Sequence, residues 1–300
     1  MATKLYKTLL VLGIILVLIS VPAFWLTFQA GADLEVNFLD VGQGDSILIK
    51  TPMGQNLLID GGPGNAVIKE LSKNLAFWDK TVDLMILTHP HDDHVTGLIE
   101  VIKRYKVNKI LYTGAVHSAP NYLTWLELIR DKKIPLVIID RPQVINLGEE
   151  CYLDILYPQE SFLGKEVNNL NNSSIVARLV YGQTKFLFMG DAEFEVEEIL
   201  VETQNNKSEQ INNTVETQDF VSLRVDILKV GHHGSDTSSS EEFLKYVKPA
   251  MAVIQVGKDN YFNHPGLRVI KRLERSGAEI FRNDEMGTVK LKSDGRKIIY

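Results

Sequence analysis

Residues 89–94 read HPHDDH and follow the nearly continuous apolar run VDLMIL. Such a run is typical of a strand that is covered on both faces, as in the parallel part of an α/β sheet. In an extended segment alternate side chains point the same way, so His89, His91 and Asp93 can converge, while His94 projects from the turn into the next helix. Imidazole nitrogens and carboxylate oxygens are the ligands that zinc takes in catalytic sites. The motif therefore predicts a metal site at the end of a strand.

Two later strand ends carry side chains of the same kinds. The apolar run FLFM ends at Gly190 and Asp191, and the run DILKV leads into GHHG at residues 231–234. Because active sites of open α/β sheets gather outside the carboxyl ends of strands, we expect these loops to share one mouth with residues 89–94. A carboxylate such as that of Asp191 can bridge two metal ions about 3.5–4 Å apart. Together the three loops supply ligands for two metal ions.

The body of the chain alternates short β-rich runs with helical patterns, among them Leu267–Ser276. This alternation indicates one α/β domain with mixed sheets over residues 33–300. Residues 203–219 (TQNNKSEQINNTVETQD) nearly lack apolar side chains, which predicts a flexible surface insertion between a helix and the next strand. Trp78 and Trp125 lie among apolar neighbours, and core packing is the default interpretation for both.

Residues 1–32 predict export from the cytoplasm. Two lysines precede a largely apolar run from Leu9 to Phe28, and the first acidic residue is Asp33. A basic start followed by an apolar stretch is typical of an export signal. Two alternatives stay open: the small residues at 30–32 resemble a signal-peptide cleavage pattern, whereas about twenty apolar residues can form a helix that anchors the chain in a membrane. In both cases we expect residues 33–300 to be extracytoplasmic, either membrane-anchored or secreted.

The composition excludes several classes of protein. Hydrophobic residues make up 45% and charged residues 23% of the chain, which is ordinary for a globular protein and excludes disordered, fibrous and polytopic membrane proteins. The single cysteine, Cys151, excludes a disulfide scaffold. With 32 basic and 38 acidic residues the net charge is −6, so avid binding of nucleic acid through bulk charge is not expected. The candidates for a local basic edge are Lys229, Lys245, Lys248, Lys258 and Arg268.

The motifs resemble those of the metallo-β-lactamase superfamily, whose αββα sandwich carries an HxHxDH metal motif. More narrowly, the chain is similar to the extracytoplasmic hydrolase domain of the ComEC DNA-uptake channel and its free-standing relatives. The matching segments follow one another through residues 34–292 as FLDVGQGDSILI, LLIDGG, LTHPHDDHVTGL, NNSSIVARL, FLFMGDAE, LKVGHHGSDTSSS and a late HP at His264. The resemblance implies a four-layer αββα sandwich with two mixed β-sheets, preceded by an N-terminal apolar helix.

The resemblance also implies a set of metal ligands for two ions, zinc or alternatively manganese. The ligands are His89, His91, Asp93, His94, Asp191 and His233. The first two histidines would hold one ion and Asp93 with His94 the other, while Asp191 would bridge them. Asp93 would in addition orient the attacking hydroxide.

Three further residues are expected around the metal ions. His232 would line the pocket as a catalytic residue, although the roles of His232 and His233 could be reversed. His264 could contact a substrate phosphate or protonate a leaving group, with an ordinary surface histidine as the equal alternative. Asp60, in LLIDGG, matches an acid that supports the metal loop from behind, with a polar turn residue as the equal alternative.

One position departs from the superfamily pattern. Many members have a histidine before the GD element as a third ligand of the first metal ion, whereas here this position falls at Asn172 and Ser173 in NNSS. These side chains are poor ligands for zinc but could donate hydrogen bonds to a phosphate oxygen. We therefore expect one of the two ions to bind weakly.

Together these features predict an extracytoplasmic metal-dependent hydrolase. A metal ion lowers the pKa of its bound water towards 7 and so supplies hydroxide at neutral pH, while no serine stands in an arrangement suited to covalent catalysis. The resemblance implies a phosphodiester substrate, for example single-stranded DNA, and hence a phosphodiesterase or nuclease. Two alternatives stay open. One is a hydrolase of another bond, such as a wall phosphocholine ester, a lactone or a lactam; the other is a non-catalytic binding module in DNA uptake.

Overall fold

The computed structural model describes residues 10, 12–20, 33–210 and 222–300, without the side chains of 207–210. Residues 10 and 12–20, within the predicted export segment, are helical. Among the described residues no helix combines the length and the apolar character needed to cross a bilayer. The rest of the predicted anchor or signal peptide lies outside the described residues.

Strands and helices alternate through most of the described chain. The strands are β1 Leu34–Phe38, β2 Ile47–Lys50, β3 Asn56–Ile59, β4 Thr81–Val82, β5 Leu84–Ile86, β6 Lys106–Val107, β7 Ile110–Tyr112, β8 Leu136–Ile138, β9 Gln143–Gly148, β10 Cys151–Tyr157, β11 Val176–Tyr181, β12 Thr184–Phe188, β13 Ile227–Lys229, β14 Met251–Ile254, β15 Glu279–Arg282, β16 Val289–Ser293 and β17 Ile298–Ile299. The helices are α1 Ala66–Asn74, α2 Asp92–Arg104, α3 Pro120–Lys132, α4 Phe194–Gln210, α5 Glu241–Val247, α6 Leu267–Ser276 and α7 Asn283–Met286. Short 3-10 turns span Leu170–Ser173 and Gly231–Gly234.

Two mixed sheets form the centre of the domain. One has the order β17-β16-β1-β2-β3-β5-β7-β8 and the other the order β15-β14-β13-β12-β11-β10-β9, while β4 and β6 pair separately. In the first sheet β3, β5, β7 and β8 run parallel, and in the second β12 to β15 run parallel. The loops after the parallel strands of each sheet therefore emerge together at one end of that sheet.

Apolar side chains fill three separate interfaces. Along β2, Ile47 and Ile49 pack into the core between the two sheets, whereas Leu48 packs with helices α1 to α3. This alternation is the two-residue period of a strand that is buried on both faces. A third cluster joins the second sheet to α4, α5 and α6. Three apolar interfaces require four layers, which confirms the predicted αββα sandwich.

Helix α2 holds the HPHDDH motif in place. It begins at Asp92, so the candidate ligands Asp93 and His94 lie in its first turn. Two acidic residues in the first turn and two basic residues in the last turn complement the helix dipole. A Cβ atom on Gly97 would lie 1.8 Å from the carbonyl oxygen of Gly61, so only glycine permits the helix to approach the loop after β3 so closely.

Three local features differ from the sequence predictions. Helix α4 runs to Gln210, so the predicted loop is wrong for residues 203–210, while 211–219 lie outside the described residues. Strand β9 is an edge strand in which the apolar Val144 is exposed and the polar Gln143 half-buried, and no apolar pattern in the sequence predicts it. Trp125 is buried as expected, but Trp78 is exposed.

Candidate metal centre

Side chains from three strand ends meet around the carboxylate of Asp191. Its Oδ2 atom lies 3.3 Å from Nε2 of His94, 3.3 Å from Nε2 of His233 and 3.9 Å from Nε2 of His89. His89 follows β5, Asp191 follows β12 and His233 follows β13, whereas His94 lies in the first turn of α2. The carboxyl ends of parallel strands from both sheets thus contribute to one cluster.

The donor atoms fall into two groups that share Asp191. In the first, Oδ2 of Asp93 lies 3.2 Å from Nε2 of His233. The ligand atoms of Asp93, His94, Asp191 and His233 all lie within 4.8 Å of one another. In the second group, Nε2 of His89 lies 3.0 Å from Nδ1 of His91. Because Asp191 is next to both groups, its carboxylate is placed to bridge two ions.

Contacts behind the cluster set the tautomers of two histidines. Nδ1 of His94 lies 2.8 Å from Oδ2 of Asp60, and Nδ1 of His233 lies 2.9 Å from the carbonyl oxygen of Gln255. A neutral imidazole that donates its Nδ1–H carries a lone pair on Nε2. Both lone pairs would face Asp191 once a bound metal ion has replaced the protons on Nε2, as metal-ligating histidines require.

Asp60 supports the cluster on two sides. This fully buried carboxylate accepts hydrogen bonds from the amide of Thr88 at 2.8 Å and from its hydroxyl at 2.6 Å. The same hydroxyl oxygen lies 3.2 Å from Nδ1 of His89, so Asp60 orients His89 through Thr88 and His94 directly. Burial raises the pKa of Asp60 above its ordinary value, and the adjacent His94 opposes this rise.

The charge of the cluster fits a divalent cation. Burial alone would lower the pKa values of His94 and His233, but the carboxylates around them, with Asp191 foremost, hold both well above 6.5. Nε2 of His94 is buried and has no hydrogen-bond partner within the described part of the chain. A bound metal ion would compensate the surplus negative charge of these carboxylates and would take the unsatisfied ring nitrogen as a ligand. Imidazole and carboxylate groups are suitable ligands for such an ion.

Lys229 and Asp45 lie behind the cluster, and sequence reasoning missed their role. Lys229, a candidate for a basic edge, is fully buried and forms an ion pair with Asp45. Its ammonium group also donates to the carbonyl oxygen of Gly190 at 2.8 Å and lies 3.8 Å from Oδ1 of Asp191. Lys229 therefore offsets part of the acidic charge and is not accessible to a substrate. The one signal in the sequence that could have indicated a role for Asp45 is its position within the matching segment FLDVGQGDSILI.

Asn172 and Ser173 form hydrogen bonds with groups outside the candidate ligands. The side chain of Asn172 accepts from the amide of Glu193 at 3.0 Å, and the hydroxyl of Ser173 donates to a carbonyl oxygen of its own 3-10 turn. These hydrogen bonds hold both side chains at the 3-10 turn and against Glu193, and their contact with a substrate phosphate stays a prediction. Ser174 lies next to the ligands instead, with its hydroxyl oxygen 3.3 Å from Nδ1 of His89.

His232 and His264 lie at the rim of the cluster. Nδ1 of His232 is 2.9 Å from Oε1 of Glu193, a partner that sequence reasoning missed. The ring centroids of His232 and His264 are 5.7 Å apart, and Phe262 stacks on His264 at 5.8 Å. Burial, together with the nearby histidines, lowers the pKa of His264 to about 4. Tyr261 is fully exposed and Phe262 is 66% exposed, so two aromatic rings stand in solvent beside the site.

Comparison with curated proteins identifies relatives among competence proteins. ComE operon protein 3 of Bacillus subtilis (strain 168) is 28% identical over 279 residues, which cover 87% of this chain and 33% of that protein. Competence protein ComA of Neisseria gonorrhoeae is 28% identical over 263 residues, which cover 86% of this chain and 32% of that protein. The chain thus spans about a third of the length of these relatives.

Solved structures with the same fold have low sequence identity to this chain. CmlA, a diiron β-hydroxylase from Streptomyces venezuelae, gives a TM-score of 0.54 at 15% identity, over 87% of this chain and 54% of that one. Igni18, a metallo hydrolase from the archaeon Ignicoccus hospitalis, gives a TM-score of 0.51 at 14% identity, over 85% of this chain and 98% of that one. At these identities the likeness is one of fold.

A family model agrees with both comparisons. The model of the metallo-β-lactamase superfamily matches residues 39–258, well over half of the chain, and this range includes the cluster around Asp191. The chain therefore belongs to the metallo-β-lactamase superfamily, in which it is similar to these competence proteins.

Proposed function

We propose that this protein is a metal-dependent phosphodiesterase that acts outside the cytoplasm, membrane-anchored or secreted. The position of Asp191 carries the proposal, because its Oδ2 atom lies 3.3 Å from two Nε2 atoms and 3.9 Å from a third. This placement supports two adjacent cations, which are suited to clamp both the attacking and the leaving oxygen of a phosphodiester. Similarity to the competence proteins supports single-stranded DNA as the first substrate to test.

Zinc is the proposed metal, with manganese as the alternative. One ion would take four protein donors, from Asp93, His94, Asp191 and His233. The other would take His89, His91 and the shared Asp191, and the smaller donor set predicts weaker binding. When bound, these ions would lower the pKa of a water molecule and polarise a phosphoryl oxygen.

Residues at the rim of the cluster are suited to proton transfer and to substrate binding. The carboxylate of Glu193 accepts the Nδ1–H of His232 at 2.9 Å and orients the ring, so the other ring nitrogen is suited to exchange a proton with a substrate oxygen. His264, with a pKa of about 4, is neutral at neutral pH and is suited to hydrogen-bond a phosphate oxygen. The exposed rings of Tyr261 and Phe262 could stack on bases, a sequence-tolerant contact that does not depend on a basic track.

The test combines metal analysis with hydrolysis of bis(p-nitrophenyl) phosphate and of single-stranded DNA by the purified chain. We expect close to two zinc ions per chain at saturation, and loss of both metal and hydrolysis in Asp191→Ala. Asp92→Asn is the matched control, because Asp92 belongs to the HPHDDH motif but is exposed and bonds to Asn121 at 3.2 Å. A folded, metal-loaded protein that cleaves no phosphodiester, or that hydrolyses a phosphocholine ester, lactone or lactam instead, would overturn the proposal.

A further inference from the structure

The surface at the amino end of β3 and β5 carries exposed apolar side chains. Phe77 and Trp78, in the loop after α1, are 83% and 73% exposed, and their ring centroids lie 4.7 Å apart. Met53, in the turn between β2 and β3, is 67% exposed. Lys80 and Lys106 are also exposed and are joined by a backbone hydrogen bond of 2.8 Å. Two exposed aromatic rings in contact, next to lysines, are typical of a surface that meets a partner.

The strand directions place this face opposite the metal centre. β3 and β5 run parallel, and the metal ligands follow the carboxyl end of β5. At the amino end, the side chain of Asn56, the first residue of β3, donates to Asp79 at 2.7 Å. Asp79 follows Trp78 directly, so the aromatic pair lies at the opposite end of the strands from the metal ligands.

The N-terminal segment joins the domain at this same face. Glu35, near the start of β1, pairs with Lys50 at the end of β2, and Lys50 pairs with Asn56. One strand therefore separates the start of β1 from the start of β3, a distance of about 10 Å at the usual strand spacing. The twelve residues 21–32 can reach at most about 43 Å when fully extended. The apolar sequence before residue 33 therefore joins the domain at the end of the sheet that carries the aromatic pair, and its reach allows it to lie beside that pair.

The described part of that apolar segment exposes its side chains. The large apolar residues of the helical stretch 12–20 are each at least 45% exposed. A helix that is apolar on all sides requires an apolar environment, either a protein core or lipid. The described part of the chain does not provide such a core, because these side chains are exposed to solvent in it.

We propose that the surface formed by Met53, Phe77 and Trp78 rests on a lipid bilayer and directs the metal centre away from the membrane. Tryptophan and other aromatic rings favour the interfacial zone of a bilayer, and the two neighbouring lysines suit anionic head groups. In this orientation the mouth of the metal centre faces the aqueous phase, where a polymeric substrate can reach it. The inference rests on the proposed membrane anchoring and is independent of hydrolytic activity.

The experiment uses the full-length chain in vesicles of phosphatidylcholine and phosphatidylglycerol. It measures solvent access at the two opposite ends of the domain, the aromatic pair and the metal centre. In a Trp25→Phe background, Trp78 and Trp125 are the remaining tryptophans. The fluorescence that Trp78→Phe removes belongs to Trp78, and Trp125 is buried and therefore shielded from the quencher. Tyr261→Trp, added to the Trp25→Phe and Trp78→Phe background, is the matched reporter, because Tyr261 is fully exposed at the metal end. We expect acrylamide to quench Trp78 several-fold less than the reporter at 261, and brominated lipid to quench Trp78 alone.

Equal acrylamide quenching at the two positions, in a chain that sediments with the vesicles, would overturn the proposed surface. A full-length chain that does not sediment with vesicles would overturn the anchoring and this surface together. Phosphodiester hydrolysis measured on the same preparation reports separately on the proposed enzymatic function. A folded Met53→Ser, Phe77→Ser double variant, which keeps Trp78 as the reporter and both lysines, should regain acrylamide access at Trp78, and unchanged protection there would likewise contradict the proposal.

Discussion

Replacing Asp60 with asparagine should weaken metal binding without removing a ligand. The Asp60 carboxylate accepts hydrogen bonds from the amide of Thr88 at 2.8 Å, from its hydroxyl at 2.6 Å and from Nδ1 of His94 at 2.8 Å. An asparagine that keeps its oxygen towards the Thr88 amide turns its NH₂ group towards the other two donors. His94 can relieve this conflict by moving its proton from Nδ1 to Nε2, and its lone pair then no longer faces Asp191.

The expected magnitude follows from these contacts. Loss of the partner behind a metal-ligating histidine typically costs 10- to 100-fold in metal affinity, or about 1.4 to 2.7 kcal/mol. Because Asp60 also orients His89 through Thr88, we expect the upper part of this range. The fully buried position adds a loss of folding stability of about 1–3 kcal/mol from unsatisfied polar groups.

The measurement is a competition titration of zinc against a chelator of known affinity, with thermal melting of the same samples. Asp92→Asn, the same substitution at an exposed position of the metal motif, should leave zinc affinity unchanged. A folded Asp60→Asn variant with the affinity of the wild type would refute the conclusion that Asp60 determines the tautomer of His94.

Three further predictions concern stability. Lys229→Met should lower the free energy of unfolding in urea by about 3–5 kcal/mol, because it leaves the carboxylate of Asp45 buried without the lysine cation. The control is Lys245→Met at an exposed position, and an equal loss there would contradict this reason. Gly97→Ala should lower the free energy of unfolding by at least about 1–3 kcal/mol, because the new Cβ would lie 1.8 Å from a carbonyl oxygen. A urea midpoint equal to that of the wild type would show that helix α2 can shift without loss of stability. The pKa values of His94 and His233 lie above 6.5 in the metal-free fold, so their contribution is complete below pH 6.5 and is lost as the pH rises through the raised values. Metal-free protein should therefore melt at lower temperature as the pH rises above 6.5, and zinc-loaded protein should show the opposite trend; a flat metal-free profile would count against it.

Local signals in the sequence were sufficient for the fold class and for most of the candidate ligands. Helix α6 has the predicted bounds, Leu267–Ser276, because its apolar period is regular and Gly277, with a φ of 82°, ends it. The density of ligand side chains in residues 89–94 marks one strand end without reference to the rest of the chain. The edge strand β9 has no such pattern, because its apolar residues do not follow the alternation of burial: Val144 is exposed, whereas Ile145 is half-buried.

Contacts between distant segments decided the rest. Nothing in the local sequence distinguishes buried Lys229 from a surface lysine, because its partner Asp45 comes from the loop between β1 and β2 of the other sheet. Local sequence also does not distinguish the two adjacent histidines of GHHG, because both follow the same strand end. Left-handed backbone at both, with φ of 47° at His232 and 52° at His233, turns the two rings in different directions. The sequence alone determined that a histidine of this pair lies near the metal motif. The parallel pairing of β12 with β13, together with the left-handed backbone, decided that His233 meets Asp191 while His232 meets Glu193, because each ring is held by a partner from the loop after β12.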